Sequence, residues 1–543
     1  MTTIKSSSDD LLMSTVKFNV LVSDDLAEEG IEILREQVMV DVQIGLSEDE
    51  LVATIENYDA LLVRSGTQVT ERVIEAGKRL RFVGRAGAGV DNIDMNAATK
   101  RGIIVANAPE GNTLAATEHT MAMILSLCRN IPQANASMQA GEWKRSKFMG
   151  VELNEKTLGI VGLGRIGREI AKRASSFDMK IIGYDPFITA EKAAAMGIQS
   201  MTLEELFKQA DIITVHTPLI KETRHIVNSQ TIKTMKDGVR IINCARGGII
   251  DEQALADAVK SGKVAGAAID VFESEPPKDS PLIGIPGIIT TPHLGASTVE
   301  AQKNVSISVA KQCLEVLNGG SAKYVVNAPI IPADLQDSIQ PFAILAEKMG
   351  RLLVQIADGR IQKLEMVYGG ELGSIGPSSK LITHMALKGL LDPILRFPVN
   401  MVNASVVAQD RGIAVSETQT AESAGYKNLL TMNVVTDTGS LCISGSILYQ
   451  GGSRIVSIGG YTMDMIPEGA VIISRHLDKP GVIGRASTIL GESQINIAGM
   501  QVGRFKAGEE AIMVLNVDSD VSEDVMEAIR GMPGIYSAKF ARI

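Results

Sequence analysis

Cysteine, tryptophan, clustered positive charge and long apolar runs are all scarce in this 543-residue chain, and each scarcity removes a class of protein. The four cysteines, Cys128, Cys244, Cys313 and Cys442, lie far apart and form no Cys-x-x-Cys pair. Neither a disulfide framework nor a zinc site is therefore expected, and a reducing, cytoplasmic setting fits. No basic run stands out among the 53 basic and 63 acidic residues, so neither a nucleic-acid nor a membrane surface is indicated and a small-molecule partner is expected. The longest nearly pure apolar run, Met121 to Cys128, is far too short to cross a bilayer. The first 16 residues are polar and lack the basic start and apolar core of a signal peptide, so they read as a flexible tail. Hydrophobic residues make up 45% of the chain, ample core for about three or four domains.

The richest stretch runs from Lys156 to Pro186. Leu158 to Val161 is an apolar run suited to a strand buried on both faces, and it leads into Gly162-Leu163-Gly164-Arg165-Ile166-Gly167. Helical periodicity follows from Ile166 to Phe177, and a second apolar run, Lys180 to Tyr184, ends at Asp185. This is a βαβ unit. Gly162 suits the tight turn, Gly164 lets the backbone approach a pyrophosphate, and Gly167 allows close helix–strand packing. Asp185 stands where a carboxylate accepts both ribose hydroxyls and repels a 2′-phosphate, which favours NAD over NADP.

Upstream, short strands alternate with helices: Phe18 to Val22, Leu26 to Glu36, Val38 to Val42, Ser47 to Ile55 (with Ser47 and Glu50 as a capping box) and Ala60 to Val63. Alternation at this spacing means a parallel sheet with helices on both faces. The strand Ala60 to Val63 delivers Arg64 and Ser65 at its carboxyl end, where such sheets bind ligands. Leu80 to Val83 runs into Gly84-Arg85-Ala86-Gly87-Ala88-Gly89, a glycine-rich nest of main-chain amides for a carboxylate. After a strand at Ile103 to Ala106, Thr113 to Arg129 makes a long apolar helix towards a second lobe. Trp143, the only tryptophan, reads equally well as a packed aromatic or as a subunit contact.

Beyond Asp185, strands at Asp211 to His216, Val239 to Cys244, Ala265 to Val271 and Ile288 to Thr291 put Arg246, Glu275 and His293 on one rim of one sheet. Hydride transfer from an alcohol carbon needs a base for the hydroxyl proton, and histidine is the usual proton carrier. A carboxylate beside it fixes the tautomer, and a guanidinium grips a substrate carboxylate with two prongs. His293, Glu275 and Arg246 fill those roles.

The segments VRSGTQVT, GRAGAGVDNID, NAPEGNT, WKRSKFMG, GLGRIGREIA, HTPL, NCARGGIID, AIDVFESEPP and PHLGAST together resemble the D-isomer-specific 2-hydroxyacid dehydrogenase family over essentially residues 17 to 320. The resemblance implies Arg246, Glu275 and His293 as the active site. It implies Arg165, Ile166, Asp185, Thr217, Cys244, Ala245 and Asp270 as NAD contacts, with Gly295 and Ala296 beside His293. Arg64, Ser65, the Ala86 and Gly87 amides and Asn112 would face the substrate, and the Trp143 to Lys147 stretch would reach a partner subunit. Ala88 departs from relatives that carry a hydroxyl residue there, and Glu275 separates the chain from formate dehydrogenases, which pair their histidine with glutamine.

The remaining chain is similar to the additions found in the long forms of that family. Strands and helices after a linker at Val325 to Asp334 resemble an intervening domain associated with anion-linked regulation, for which Lys380, Lys388 and Arg454 are the available cations. After a second linker near Met463 to Gly469, a βαββαβ order with the DKPGV and INIAGM segments resembles an ACT domain. Such domains pair side by side and bind amino acids. The resemblance implies L-serine as effector at His476, Asp478 and Asn496, and a homo-oligomer, dimer or tetramer.

The expected architecture is thus α/β, with two doubly wound Rossmann-like lobes followed by an α+β regulatory domain and a ferredoxin-like ACT domain. The expected boundaries are a tail at 1–16, a discontinuous substrate lobe at 17–112 and 296–328, an NAD lobe at 113–295, an intervening domain at 329–466 and the ACT domain at 470–543. The implied reaction is NAD-dependent oxidation of 3-phospho-D-glycerate to 3-phosphohydroxypyruvate, the first step of the phosphorylated route to L-serine.

Overall fold

The computed structural model describes residues 18–329, 335–448 and 452–543, so the expected tail and the end of the first linker lie outside the described residues. Strands β1 (Asn19–Val22), β2 (Met39–Val42), β3 (Ala60–Val63), β4 (Phe82–Arg85) and β5 (Ile104–Asn107) form a parallel sheet in the order β2-β1-β3-β4-β5. The capping box on the helix Glu48–Thr54 is present, with the Ser47 hydroxyl accepting from Glu50 N and the Glu50 carboxylate accepting from Ser47 N.

A second parallel sheet is built from β6 (Thr157–Val161), β7 (Lys180–Tyr184), β8 (Gln199–Ser200), β9 (Ile212–Val215), β10 (Val239–Asn243), β11 (Val264–Ile269) and β12 (Ile288–Thr290), ordered β12-β11-β10-β9-β6-β7-β8. The order reverses between β6 and β9, and such a switch point opens a crevice at the carboxyl ends of the strands.

Two long helices join the lobes. Thr113–Arg129 buries Met121, Ile124 and Leu127 in the core of the second sheet with Leu158 and Ile160. Val299–Leu317 returns to the first sheet and buries Val305, Val309 and Leu314 with Val20, Leu62 and Phe82. Each such side chain contributes roughly 1.5–3 kcal/mol of burial. The return is tight: a Cβ on Gly84 would lie 2.4 Å from Val309 Cγ2. The first sheet is thus completed by a helix from much later in the chain.

The third sheet contains β13 (Ile361–Gly370), β14 (Ala414–Thr420), β15 (Asn428–Thr436), β16 (Ser440–Ile447), β17 (Ser453–Ile458) and β18 (Tyr461–Met465), in the order β14-β13-β15-β16-β17-β18. The fourth contains β19 (Ala470–Leu477), β20 (Ile497–Arg504), β21 (Glu510–Val517) and β22 (Ile535–Arg542), ordered β20-β21-β19-β22 and antiparallel throughout. Val471, Ile473, Ile512 and Val514 of the fourth sheet share one core with Leu345, Met349 and Leu352 of the helix Gln336–Ile356, so the last two sheets are packed as one block. That block touches the first lobe through Asn400 Nδ2, which donates to Gly102 O at 2.7 Å.

Three elements depart from the sequence expectations. The helix Ile131–Gln139 buries none of its residues, so no apolar stripe announced it; Asn130 at φ 53° ends the preceding helix and Pro132 lies in the first turn. The sequence of Val399 to Gln409 reads as helix, but only Ala404–Asp410 is helical, because Asn400 Oδ1 accepts from the N–H of Val402 and of Asn403 and holds a turn there. The second linker begins later than expected: β18 occupies Tyr461–Met465 as an edge strand with Met463 and Met465 turned inward.

Candidate active site

The loop after β10 is tied by Asn243, whose Oδ1 accepts from Ala245 N at 3.0 Å and whose Nδ2 donates to Arg246 O at 2.8 Å. Gly247 lies against the next loop so closely that a Cβ would fall 1.8 Å from Phe272 O. Arg246 thus leaves its sheet in a fixed direction and crosses to the other lobe, where Nε pairs with Asp91 Oδ2 at 3.2 Å and a guanidinium nitrogen rests over Gly89.

Glu275 and His293 form the second feature. Glu275 Oε1 accepts from Phe272 N at 3.1 Å and Oε2 is 2.8 Å from His293 Nδ1. Burial would raise the Glu275 carboxyl, but its hydrogen bonds with His293 and the Phe272 amide outweigh that and hold it below the usual carboxylate range. An ionised carboxylate only accepts, so Nδ1 carries the proton and Nε2 is left with its lone pair. His293 has φ 55°, a left-handed conformation uncommon outside glycine and found disproportionately at functional sites.

The facing wall gathers three guanidinium groups. Asp24 fixes the Arg64 to Thr67 turn, accepting from Arg64 N at 2.6 Å and Thr67 N at 3.1 Å. Asn92 links both strand ends: Nδ2 donates to Arg64 O at 2.8 Å, and Oδ1 accepts from Arg85 Nε at 3.0 Å. Arg85 is the residue that sequence reasoning missed. Burial and then the nearby charges of Arg246 and Arg64 pull its guanidinium down to about 10, with Asp91 and Asp24 opposing. Positive charge is in excess here, which suits an anionic substrate. The only advance signal was a cation placed beside a glycine nest.

Within the nest the structure corrects one expectation. The Ala86 amide donates to Val63 O at 2.8 Å, as part of the sheet, and the Gly87 amide to Arg85 O at 2.9 Å. Ala88 and Gly89 carry the amides that have no partner among the described residues. Asn112 Oδ1 is buried and likewise unpartnered, whereas Ser65 is exposed.

The residues of the dinucleotide cradle fit NAD. Gly162 has φ 97°, a Cβ on Gly167 would lie 2.1 Å from Gly162 O, and a Cβ on Gly164 would meet nothing within 4 Å, so the loop presents bare backbone to an open cleft. The helix Arg165–Ser175, which includes Ile166, has no side-chain cap, leaving its first amides for a pyrophosphate. Asp185 Oδ2 accepts from Leu163 N at 2.9 Å, and the buried Thr217 hydroxyl has no partner among the described residues. Cys244 is an inert wall, its thiol pushed up to about 12 by burial and then by the Asp270 charge. Ala245 is half-buried and Ala296 likewise. Asp270, expected at the cofactor, is fully buried; its carboxylate accepts from Leu294 N at 2.8 Å, Gly295 N at 2.9 Å and the Thr291 hydroxyl at 2.6 Å.

Other expectations separate. Trp143 is 75% exposed, so it is not packed into the core of its own chain. His476 is buried, with neither ring nitrogen partnered among the described residues; Asp478 pairs with Arg504 at 2.9 Å; Asn496 Nδ2 donates to Asp518 at 2.6 Å. These three form no hydrogen bonds with one another. Lys388 and Arg454 are held by Glu347 and Asp464, and Lys380 is exposed.

A Rossmann lobe with an open pyrophosphate loop, a carboxylate-bound histidine and an arginine reaching over from the rim defines an NAD-dependent dehydrogenase of 2-hydroxy acids. Residues 121–295 match the NAD-binding domain of D-isomer-specific 2-hydroxyacid dehydrogenases, 338–459 the intervening domain of D-3-phosphoglycerate dehydrogenase, and 470–534 the ACT domain. D-lactate dehydrogenase from Aquifex aeolicus, solved with NAD and lactic acid, is similar over 55% of this chain and 96% of its own, with TM-score 0.51 and 28% identity. The D-3-phosphoglycerate dehydrogenases of Methanocaldococcus jannaschii and Bacillus subtilis are 47% and 46% identical over 95% and 96% of this chain, and 98% and 99% of theirs. The chain belongs to the D-3-phosphoglycerate dehydrogenases, NAD-dependent oxidoreductases of serine biosynthesis. No described helix is long and apolar enough to cross a membrane.

Proposed function

We propose that His293 is the acid/base, Glu275 its orienting partner and Arg246 the substrate-carboxylate holder in the oxidation of 3-phosphoglycerate. The observation that carries this reading is the 2.8 Å His293–Glu275 pair, which leaves Nε2 as the proton acceptor. His293 Nε2 takes the C2 hydroxyl proton, and Glu275 stabilises the imidazolium that forms. Bound NAD supplies the acceptor for the C2 hydride. Arg246 grips the carboxylate and polarises the developing carbonyl, assisted by the Ala88 and Gly89 amides. Arg64 and Arg85 neutralise the phosphate, with Ser65 and Asn112 alongside. The cradle residues Gly162 to Gly167, Asp185 and Thr217 would hold the cofactor, together with Cys244, Ala245, Asp270, Gly295 and Ala296.

Trp143 and its exposed neighbour Met149 support a homo-oligomeric contact, and the ACT sheet supports L-serine as effector. Four free cysteines are compatible with a cytoplasmic enzyme. The test is a steady-state NADH assay on His293→Ala and Glu275→Gln: large losses of kcat with NAD affinity retained support these roles, and near-normal turnover of the His293 variant overturns them.

A further inference from the structure

His119 takes no part in the reading above, yet it touches the group that holds the catalytic loop. It lies on Thr113–Arg129, the helix joining the lobes, and its Nε2 is 3.1 Å from Asp270 Oδ1 and 3.3 Å from the Thr291 hydroxyl. Asp270 is fully buried on the rim of the second sheet, and the hydrogen bonds of its carboxylate go to residues 291 to 295. Its carbonyl also accepts from His293 N at 2.9 Å. Burial would raise the Asp270 carboxyl, but bonds from His119, Thr291 and the Leu294 amide prevail and hold it below the ordinary range. The loop therefore wraps around one carboxylate, and His293 sits inside the wrap in its left-handed conformation.

We propose that His119 is a positioning residue for the dehydrogenase reaction: by donating Nε2–H to the Thr291 hydroxyl, which donates in turn to Asp270, and by lying against that carboxylate, it fixes the group that sets the backbone of residues 293 to 295, and through it the aim of His293. The proposal rests on His293 being the acid/base. The donor is needed because Asp270 has no solvent to turn to. If Nε2–H is removed, the carboxylate swings to its remaining partners and the loop relaxes with it. A displacement of the order of 1 Å at a reacting group is worth up to about 10²-fold in rate. Because His119 belongs to the helix between the lobes, the aim of His293 is also tied to lobe position.

The test compares His119→Leu, which keeps bulk and removes the donor, with His119→Gln, which offers an N–H from a similar reach, and with His293→Ala, all in the full-length enzyme. The readouts are kcat, KM for 3-phosphoglycerate, NADH affinity by fluorescence, the isotope effect with 2-deuterated substrate, and Tm. We expect His119→Leu to lose about tenfold in kcat with a larger isotope effect and little change in NADH affinity, and His119→Gln to recover most of the loss. Wild-type kcat and isotope effect in His119→Leu overturn the proposal. So does a loss shared equally by Leu and Gln that tracks Tm, since that is a packing role. Loss of turnover in His293→Ala alone leaves the acid/base reading intact while His119 fails; normal turnover in His293→Ala removes the reading beneath both.

Discussion

Placing one methyl group at Gly89 separates the working of Arg246 from the stability of the fold. An ideal Cβ there would lie 2.2 Å from an Arg246 guanidinium nitrogen and 2.6 Å from Asp91 Oδ2, and both atoms are the ends of flexible side chains. The backbone can stay while the guanidinium withdraws by about 1 Å, a displacement worth up to about 10²-fold at a reacting centre. Converted at 1.36 kcal/mol per tenfold, that is about 2.7 kcal/mol of transition-state binding. Gly89→Ala is therefore expected to lower kcat/KM for 3-phosphoglycerate by 10- to 100-fold, with KM for NAD unchanged and Tm within a few degrees of wild type. Gly247→Ala is the contrast. Its Cβ would fall 1.8 Å from the Phe272 carbonyl, which is backbone, so the cost there appears as lost folding stability. Steady-state kinetics and thermal unfolding of both variants decide it. A Gly89→Ala enzyme with wild-type kcat/KM would refute the placement of the substrate carboxylate under Arg246.

Other consequences are open to measurement. His293→Ala should reduce kcat about 10²-fold or more with NADH binding nearly intact, as followed by NADH fluorescence. Asp185→Ala should relax the preference for NAD over NADP; an unchanged ratio of kcat/KM values would remove Asp185 from that role. His216 is half-buried with its ring Nδ1 shielded from solvent, and desolvation pushes its imidazole down to about 3. The unfolded chain takes up a proton near pH 6.5 that the folded one refuses, so the stability held above that pH is lost progressively as pH falls towards 3. His216→Gln should flatten the fall in Tm between pH 6 and 4; an equal slope in both proteins contradicts this. Millimolar L-serine should lower turnover, and Asn496→Ala should blunt that response; no effect of serine on the wild type would leave the ACT domain to another ligand.

The β-strands and helices of the two lobes were largely legible because their signals are local. Lys180–Tyr184 and Thr113–Arg129 stand in the fold as read, one marked by an apolar run and the other by an apolar helical period. The Ser47–Glu50 capping box is a four-residue pattern and needed no tertiary knowledge. Strand ends were less legible where strands run into the cleft: β4 extends to Arg85 because Gly84 and Arg85 pair with Ala106 and Asn107, although neither carries an apolar pattern. The site was readable as a set of residue types, but its wiring was not. Arg85 matters through Arg246, which lies far along the chain, and His119 through Asp270. The Ala86 amide looked free in a glycine nest, and only the pairing of β3 with β4 commits it to Val63. Exposure of Trp143 was equally undecidable from a loop with charged neighbours.

The most direct test of the account is kcat/KM with NAD for 3-phosphoglycerate against D-glycerate, measured on the wild type and on Arg85→Gln. The excess of guanidinium charge at Arg64, Arg85 and Arg246 predicts a preference of at least about 10²-fold for the phosphorylated acid, sharply reduced in the variant, on the scale of lost charge-assisted contacts. Equal use of the two acids by the wild type, or a preference that survives in Arg85→Gln undiminished, would contradict it.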